Sequence, residues 1–345
     1  MSPTPLERSL GVHRVLDPPG ALPQAATRLD PDPRTGPDEV RVAVDLLDLD
    51  AATARELTAA HAGDGDAVRA AVLATVQHRG ALTAVAGTPV RGTVVGVVDE
   101  VGPESPLGLR PGNRVAVLVP PAVVPLQVTD GLARWDGRSA RVPTAGTAVL
   151  FGRSIAAVLP EDLPEDVVLA LLAVCGVPAL TEQVVRRSGH RPSVAVLGAV
   201  GPAGSLGLAA ARDARAGRLV GVVRDEQEAA ELRAAGLADE VVVADLTDPL
   251  AVAAAVGPPV DVTVVCAPGA GAEPGAVLAT TDGGAVVFFS PATSFPAAAL
   301  AAAGTAADVV MLIASGYTPG HAALALDLYR RNAGVRSLVD PRVTR

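Results

Sequence analysis

Residues 196–214, VLGAVGPAGSLGLAAARDA, set Gly198, Gly201, Gly204 and Gly207 three apart between an apolar run and an alanine-rich stretch. The run SVAVL (193–197) reads as a strand and the alanine-rich stretch as a helix. Glycine weakens either element, so four of them at the junction need a reason. Without Cβ atoms the backbone turns tightly and lets a pyrophosphate approach the helix N-terminus, where unpaired N–H groups and the dipole favour an anion. Pro202 has no N–H, which leaves Ala203 and Gly204 as donors, and its fixed φ suits the first helical position. Tight helix–sheet packing in a Gly- and Ala-rich chain is the competing explanation, and it is weaker in this strand–turn–helix context.

Outward from this turn the texture alternates. SVAVLG, RLVGVV, DEVVVAD, DVTVVCAP, AVVFFS and VVMLIAS are apolar strands separated by helical stretches. Continuous apolar strands alternating with helices predict a parallel sheet covered on both faces, the Rossmann-like doubly wound arrangement. An NAD site usually ends its second strand with an acid that holds the ribose hydroxyls. Here Val223 and Arg224 stand at that place, and a guanidinium suits a 2′-phosphate. This favours NADP over NAD, although Asp225 one place further serves NAD if the strand ends later. Asp245, ending the third strand, borders the adenine or caps the turn before DLTDP.

Before about residue 155 the chain changes character. Short Val-rich runs such as VRVAVDLLDL (41–50), GTVVGVVDEVG (92–102) and NRVAVLV (113–119) are broken by Pro, Gly and Asp. They predict a small β-rich domain, with one helix around Ala51–His78 and a type II turn in LRPGNRV (109–115). LPEDLPEDVVLALLAV (159–174) carries a helix start, and GHAALALDLYRRNAG (320–334) reads as an amphipathic helix.

The totals narrow the function. The 345 residues are 49% hydrophobic but only 2% aromatic, so the core is built from Val, Leu, Ile and Ala. Net charge is -9 with no basic block, which argues against nucleic acid and anionic membrane as partners. All 28 basic residues are arginines; this excludes P-loop, Schiff-base and pyridoxal-phosphate lysine chemistry. Cys175 and Cys266 are too few for a disulfide framework and fit a reducing cytoplasm. No secretory signal and no stretch of ~20 apolar residues is apparent, so a soluble cytoplasmic protein is expected.

The order of these pieces resembles the medium-chain dehydrogenase/reductase superfamily. The segments that carry the resemblance are GTVVGVVDEVG, LRPGNRVAVLV, the connector LPEDLPEDVVLALLAVCGVPA, the turn AVLGAVGPAG and EAAELRAAGLADEVV. A closer resemblance is to the L-erythro-3,5-diaminohexanoate dehydrogenase family, through GVHRVLDPPGALPQ (11–24), ADEVVVADLTDPLAV, ATTDGGAVVFFSPATSFPAAAL and SGYTPGH. The resemblance implies a GroES-like β-rich substrate domain, residues 1–155 plus 321–345, and a Rossmann domain, residues 156–320, with the active site between them. It also implies oxidative deamination of L-erythro-3,5-diaminohexanoate to 5-amino-3-oxohexanoate with NADP or NAD. The zinc members of the superfamily converge three ligands, which fall here on Asp48, Gly92 and Cys175. One thiol and one carboxylate do not make a zinc site, and no metal is expected.

Taking a hydride from an amine-bearing carbon needs a proton acceptor, and without lysine the candidates are histidine and arginine. His13 and His321 lie in the two family-like motifs, so one is expected to move the proton while the other, or Arg14, orients the substrate. Tyr317 and Thr318 close the last strand beside the cofactor crevice. Ser290 and Thr293 in SPATSF border the cofactor or merely cap a helix. Asp48 and Asp50 meet the substrate's ammonium or are surface acids. VVMLIAS offers a bare edge for a homodimer. The rival readings are a zinc-free quinone or enoyl reductase and a non-catalytic NADP(H)-binding sensor.

Overall fold

A computed structural model describes residues 3–85, 87–290, 292–313 and 317–343. The chain divides into two compact units, Met1–Asp162 and Leu163–Arg345.

The first unit opens with α1 (Pro5–Leu10), whose N-terminus carries a capping box between Thr4 and Glu7. Strand β1 (Val15–Asp17) pairs with β2 (Arg28–Leu29). Strand β3 (Val40–Leu49) leads into α2 (Ala51–Ala60), capped by Asp50, and α3 (Gly65–Arg79), capped by Asp64. The single helix expected over Ala51–His78 is therefore two. Ala62 and Gly63 at φ 52 and 80 adopt the left-handed conformation between them, which no helix can continue through. The hairpin β4 (Ala84–Val85) and β5 (Thr88–Pro89) follows, then β6 (Gly92–Val101), β7 (Arg114–Val117), β8 (Leu126–Val128), β9 (Arg141–Leu150) and β10 (Ala156–Val158).

Six of these strands form one antiparallel sheet in the order β10-β7-β6-β3-β9-β8. Val40, Val42 and Val44 project from the central strand into a core of valine and leucine. The turn before β7 closes with Asn113 N–H donating to Arg110 C=O at 3.0 Å, and Gly112 takes the φ of +89 that its third position requires. Trp135 is the one large aromatic in this core, 2% exposed, with Nε1 donating to Ser139 C=O at 2.9 Å.

In the second unit, α4 (Glu165–Leu172) and α5 (Gly176–Arg187) precede β11 (Ser193–Leu197) and α6 (Pro202–Asp213). Then come β12 (Arg218–Val223), α7 (Glu226–Ala235), β13 (Glu240–Val243), α8 (Pro249–Val256), β14 (Val260–Val265) and α9 (Glu273–Leu278). The unit closes with β15 (Thr280–Phe288), α10 (Phe295–Thr305), β16 (Val310–Ile313), α11 (His321–Arg331) and α12 (Ala333–Val343). All six strands are parallel, in the order β13-β12-β11-β14-β15-β16. The central strands are buried at consecutive positions, as a sheet covered on both faces demands. The order reverses between β11 and β14, and that is where this architecture opens a ligand crevice.

Two expected boundaries are corrected. Strand β10 pairs with β7 and so belongs to the first unit, which runs to Asp162 rather than 155. The C-terminal stretch does not join the β-rich domain: α11 packs on α4 and α5, and α12 on α6 and α7, within the second unit. Its apolar stripe, with Ala325, Leu328 and Tyr329 buried, needed a neighbour, and the helices of the parallel sheet supply it. Among the described residues no single helix is long and apolar enough to cross a membrane.

Candidate active site

The glycine turn assigns a different task to each glycine. Gly198 has φ +81, and a Cβ there would lie 2.9 Å from the backbone N and Cα of Ala267, in the loop after β14. Gly204 brings the helix down onto the turn, because its Cβ would meet the Gly198 carbonyl oxygen at 2.3 Å. Gly201 is the opposite case. It caps α6 at φ -70 and ψ 169 with no side-chain cap, and a Cβ there would meet nothing within 4 Å. The first-turn amides of Ala203 and Gly204 have no acceptor within the helix, while Ser205 N–H already bonds Gly201 C=O at 2.9 Å. Unclaimed amides beside open space fit the phosphates of a dinucleotide.

At the end of β12, Val223 is buried and Arg224 faces solvent, its side chain 62% exposed. Glu228, one turn into α7, holds Arg224 by its backbone N–H at 3.0 Å, by Nε at 3.1 Å and by Nη2. This hydrogen bond and the attraction of Glu228 raise the guanidinium's pKa further. Asp225 is taken up in capping α7, its Oδ1 accepting from Glu228 N–H at 2.8 Å. Asp245 closes the turn before α8 by accepting from the Thr247 N–H at 2.9 Å and hydroxyl at 2.7 Å, and these bonds hold its carboxyl low.

The loops beyond β14, β15 and β16 line the same edge of the sheet. Cys266 N–H bonds Leu197 C=O at 2.8 Å, and burial pushes its thiol up to about 12. Ser290 shapes its loop from both ends, Oγ accepting from Ala292 N–H at 3.2 Å and C=O from Thr293 N–H at 3.2 Å. Pro291, and Ala314, Ser315 and Gly316 of the last motif, lie outside the described residues. Beyond β16, Tyr317 is exposed and sets its ring edge-on to His321, with centroids 5.3 Å apart. Thr318 C=O accepts from His321 N–H at 3.0 Å. His321 opens α11 at 4% exposure, and burial pushes its pKa down, which favours the neutral ring.

In the first unit, His13 Nε2 meets Glu39 Oε1 at 2.7 Å. Glu39 is fully buried and also accepts from Arg14 Nε at 2.9 Å, Arg14 Nη2 at 2.5 Å and Gly36 N–H at 2.7 Å. Burial pushes its carboxyl up, but the bonds from His13, Arg14 and Gly36 outweigh this and hold it at about 2. Arg14, expected to orient substrate, is a buried strut. Four of its five N–H groups are spent on Glu39 and on the carbonyls of Asp32 and Arg34. His13 Nδ1 is buried without a partner. His13 and His321 thus stand in different units.

Asp48 lies opposite Thr93 and Arg141 in the first sheet, and Gly92 is glycine because a Cβ would meet Asp48 C=O at 2.4 Å. Asp50 is engaged by Thr53 N–H at 2.5 Å and Arg91 Nε at 2.7 Å. Cys175 is buried in the second unit, with its thiol pushed to about 12 by burial. Among the described residues no group of three or more His, Cys, Asp or Glu is placed to hold a metal. Two acids at 2% exposure or less escaped the sequence reading. Glu39 and Glu273 find partners 26 and 21 residues away; Glu39 follows Asp38 in an acidic pair, whereas Glu273 stands alone among glycines and alanines.

A six-stranded parallel sheet with a glycine turn, preceded in the chain by an antiparallel β-rich unit, is a fold shared with solved dehydrogenases and reductases. Alcohol dehydrogenase from Thermotoga maritima superposes with a TM-score of 0.53 at 15% identity, covering 89% of this chain and 85% of that one. The enoyl reductase CurK gives 0.52 at 15% identity, covering 90% and 80%. Sequence narrows the class. A family model for the L-erythro-3,5-diaminohexanoate dehydrogenase N-terminal domain matches residues 13–160. Relatives named L-erythro-3,5-diaminohexanoate dehydrogenase are 35% identical over 339 residues in Acetoanaerobium sticklandii and 34% over 340 in Fusobacterium nucleatum. Each alignment covers 95% of this chain and 96% of the relative. The chain belongs to the L-erythro-3,5-diaminohexanoate dehydrogenase family.

Proposed function

We propose that this chain is a cytoplasmic NAD(P)-dependent dehydrogenase that converts L-erythro-3,5-diaminohexanoate and water to 5-amino-3-oxohexanoate and ammonium. The observation that carries this reading is the match along 95% of the chain to dehydrogenases of that name, and the open glycine turn supports it. The amides of Ala203 and Gly204 bind the pyrophosphate beside Gly201 and Pro202. The bound nicotinamide supplies the hydride acceptor. Arg224, following Val223 where an acid would suit NAD, favours the 2′-phosphate of NADP. Ser290 and Thr318 border the cofactor from the loops after β15 and β16.

The substrate's reacting amine must lose a proton before its carbon can give up a hydride. His321, kept neutral by burial, takes that proton, with the Tyr317 ring fixing one side of the imidazole. The bare edge of β16, where Val310 and Ile313 are 57% and 64% exposed, supports pairing of two copies into a homodimer.

The test is reduction of NAD⁺ and NADP⁺ by the purified chain with 3,5-diaminohexanoate, against simple alcohols and quinones. Cofactor reduction confined to the diamine is the expected result. Quinone turnover without reaction of the diamine would move the chain to the reductases of the same fold.

A further inference from the structure

Glu273 is 2% exposed, yet among the described residues no cation pairs with it, and its partners are backbone amides from two separate loops. Gly271 N–H, in the loop after β14, donates to Oε2 at 3.1 Å. Ser294 N–H, in the loop after β15, donates to Oε1 at 2.5 Å. Ser294 is the N-cap of α10, so the carboxylate also faces the positive end of an 11-residue helix. Gly271 reaches its position with φ +96, a conformation that favours glycine.

The loop after β14 is tied in turn to the phosphate-binding corner. Cys266 N–H bonds Leu197 C=O at 2.8 Å, and the Ala267 backbone packs where a Gly198 Cβ would stand. Glu273 thereby joins the loops after β14 and β15, and the loop after β14 is in turn fixed to the glycine turn by backbone contacts. In a sheet built from two mononucleotide-binding halves, the strands β11–β13 take the adenine half and β14–β16 the other. The link lies wholly on the second half.

We infer that Glu273 is a positioning residue for the nicotinamide half of the cofactor, holding Ser294 and the start of α10 in register with the loop after β14. This rests on the dinucleotide-dependent reading above. A glutamine at 273 keeps the shape but turns one acceptor oxygen into a donor. One of the two loop amides then faces another N–H, and the loops part.

The experiment titrates the purified full chain and E273Q with NADH and NADPH by cofactor fluorescence, and with ADP, which fills only the adenine half, by competition. The expected result is a dissociation constant for the preferred dinucleotide raised about tenfold, with ADP binding within about twofold of the parent. Dinucleotide affinity within about twofold of the parent overturns the inference, as does equal weakening of dinucleotide and ADP. Glu273→Asp, which keeps the charge but falls one methylene short, carries the same comparison if E273Q does not fold. A parent chain that binds ADP but neither dinucleotide overturns the functional reading itself and this inference with it, whereas a variant-specific result bears on Glu273 alone.

Discussion

The 2.7 Å hydrogen bond between His13 Nε2 and Glu39 Oε1 has a fixed direction. Glu39 is held ionised by Arg14 and by the Gly36 amide, so it only accepts, and the proton sits on Nε2 of the imidazole. The remaining ring nitrogen, Nδ1, is buried without a partner.

Glu39 ties acid stability to this cluster. Its carboxyl titrates at about 2 when folded, against 4.5 ordinarily. A depressed acid stabilises the fold above its unfolded pKa, and the contribution drains away as pH falls toward the folded value. A shift of this size corresponds to about 3 kcal/mol. Glu39→Gln should therefore unfold in less urea than the parent at pH 7, with the gap closing as pH falls from 4.5 to about 2. A gap that stays constant across that window would mean that packing, and not charge, is lost.

Gly201 and Gly204 should separate binding from folding. Alanine at 201 meets nothing in the protein, so the melting temperature should hold while dinucleotide affinity falls at least about tenfold. Alanine at 204 strikes the Gly198 carbonyl, which is backbone and cannot step aside; both properties should suffer, with about 1–3 kcal/mol of stability lost. Unchanged dinucleotide binding by Gly201→Ala would remove the phosphates from this corner.

Glu228 holds the Nε–H and one Nη2–H of Arg224, so a 2′-phosphate competes with it for part of the guanidinium fork. Arg224→Ala should lower kcat/KM for NADP⁺ by about 10- to 100-fold and leave NAD⁺ nearly unchanged. Glu228→Gln should move the ratio the other way. Equal losses with both cofactors would take Arg224 out of the discrimination.

The exposed residues of β16 carry the dimer expectation. A lysine at Val310 or Ile313 places charge on the open edge, a device by which natural sheets refuse edge pairing. Sedimentation should show the double variant as a monomer and the parent as a dimer. A parent that sediments as a monomer rejects this interface.

What was legible in the sequence is what is written locally. The turn at Gly198–Gly204, the apolar strands around it and the Pro111–Gly112 turn each declare themselves within about a dozen residues. The C-terminal helix announced an apolar stripe at Ala325 and Leu328 but not the surface that buries it. Likewise Arg14 looked like a free cation in a family-like motif, and only the return of Asp32, Arg34 and Glu39 shows its donors spent. Buried acids are the least visible, since a carboxylate in a turn-rich stretch looks solvated until distant donors close over it.

Trp135, the only tryptophan, lies in the first unit, whereas the two tyrosines, Tyr317 and Tyr329, lie in the second. Indole emission thus reports one half of the molecule and phenol emission the other. A single unlabelled sample heated in a fluorimeter will show whether the halves come apart together or in turn, and which of them a bound dinucleotide protects.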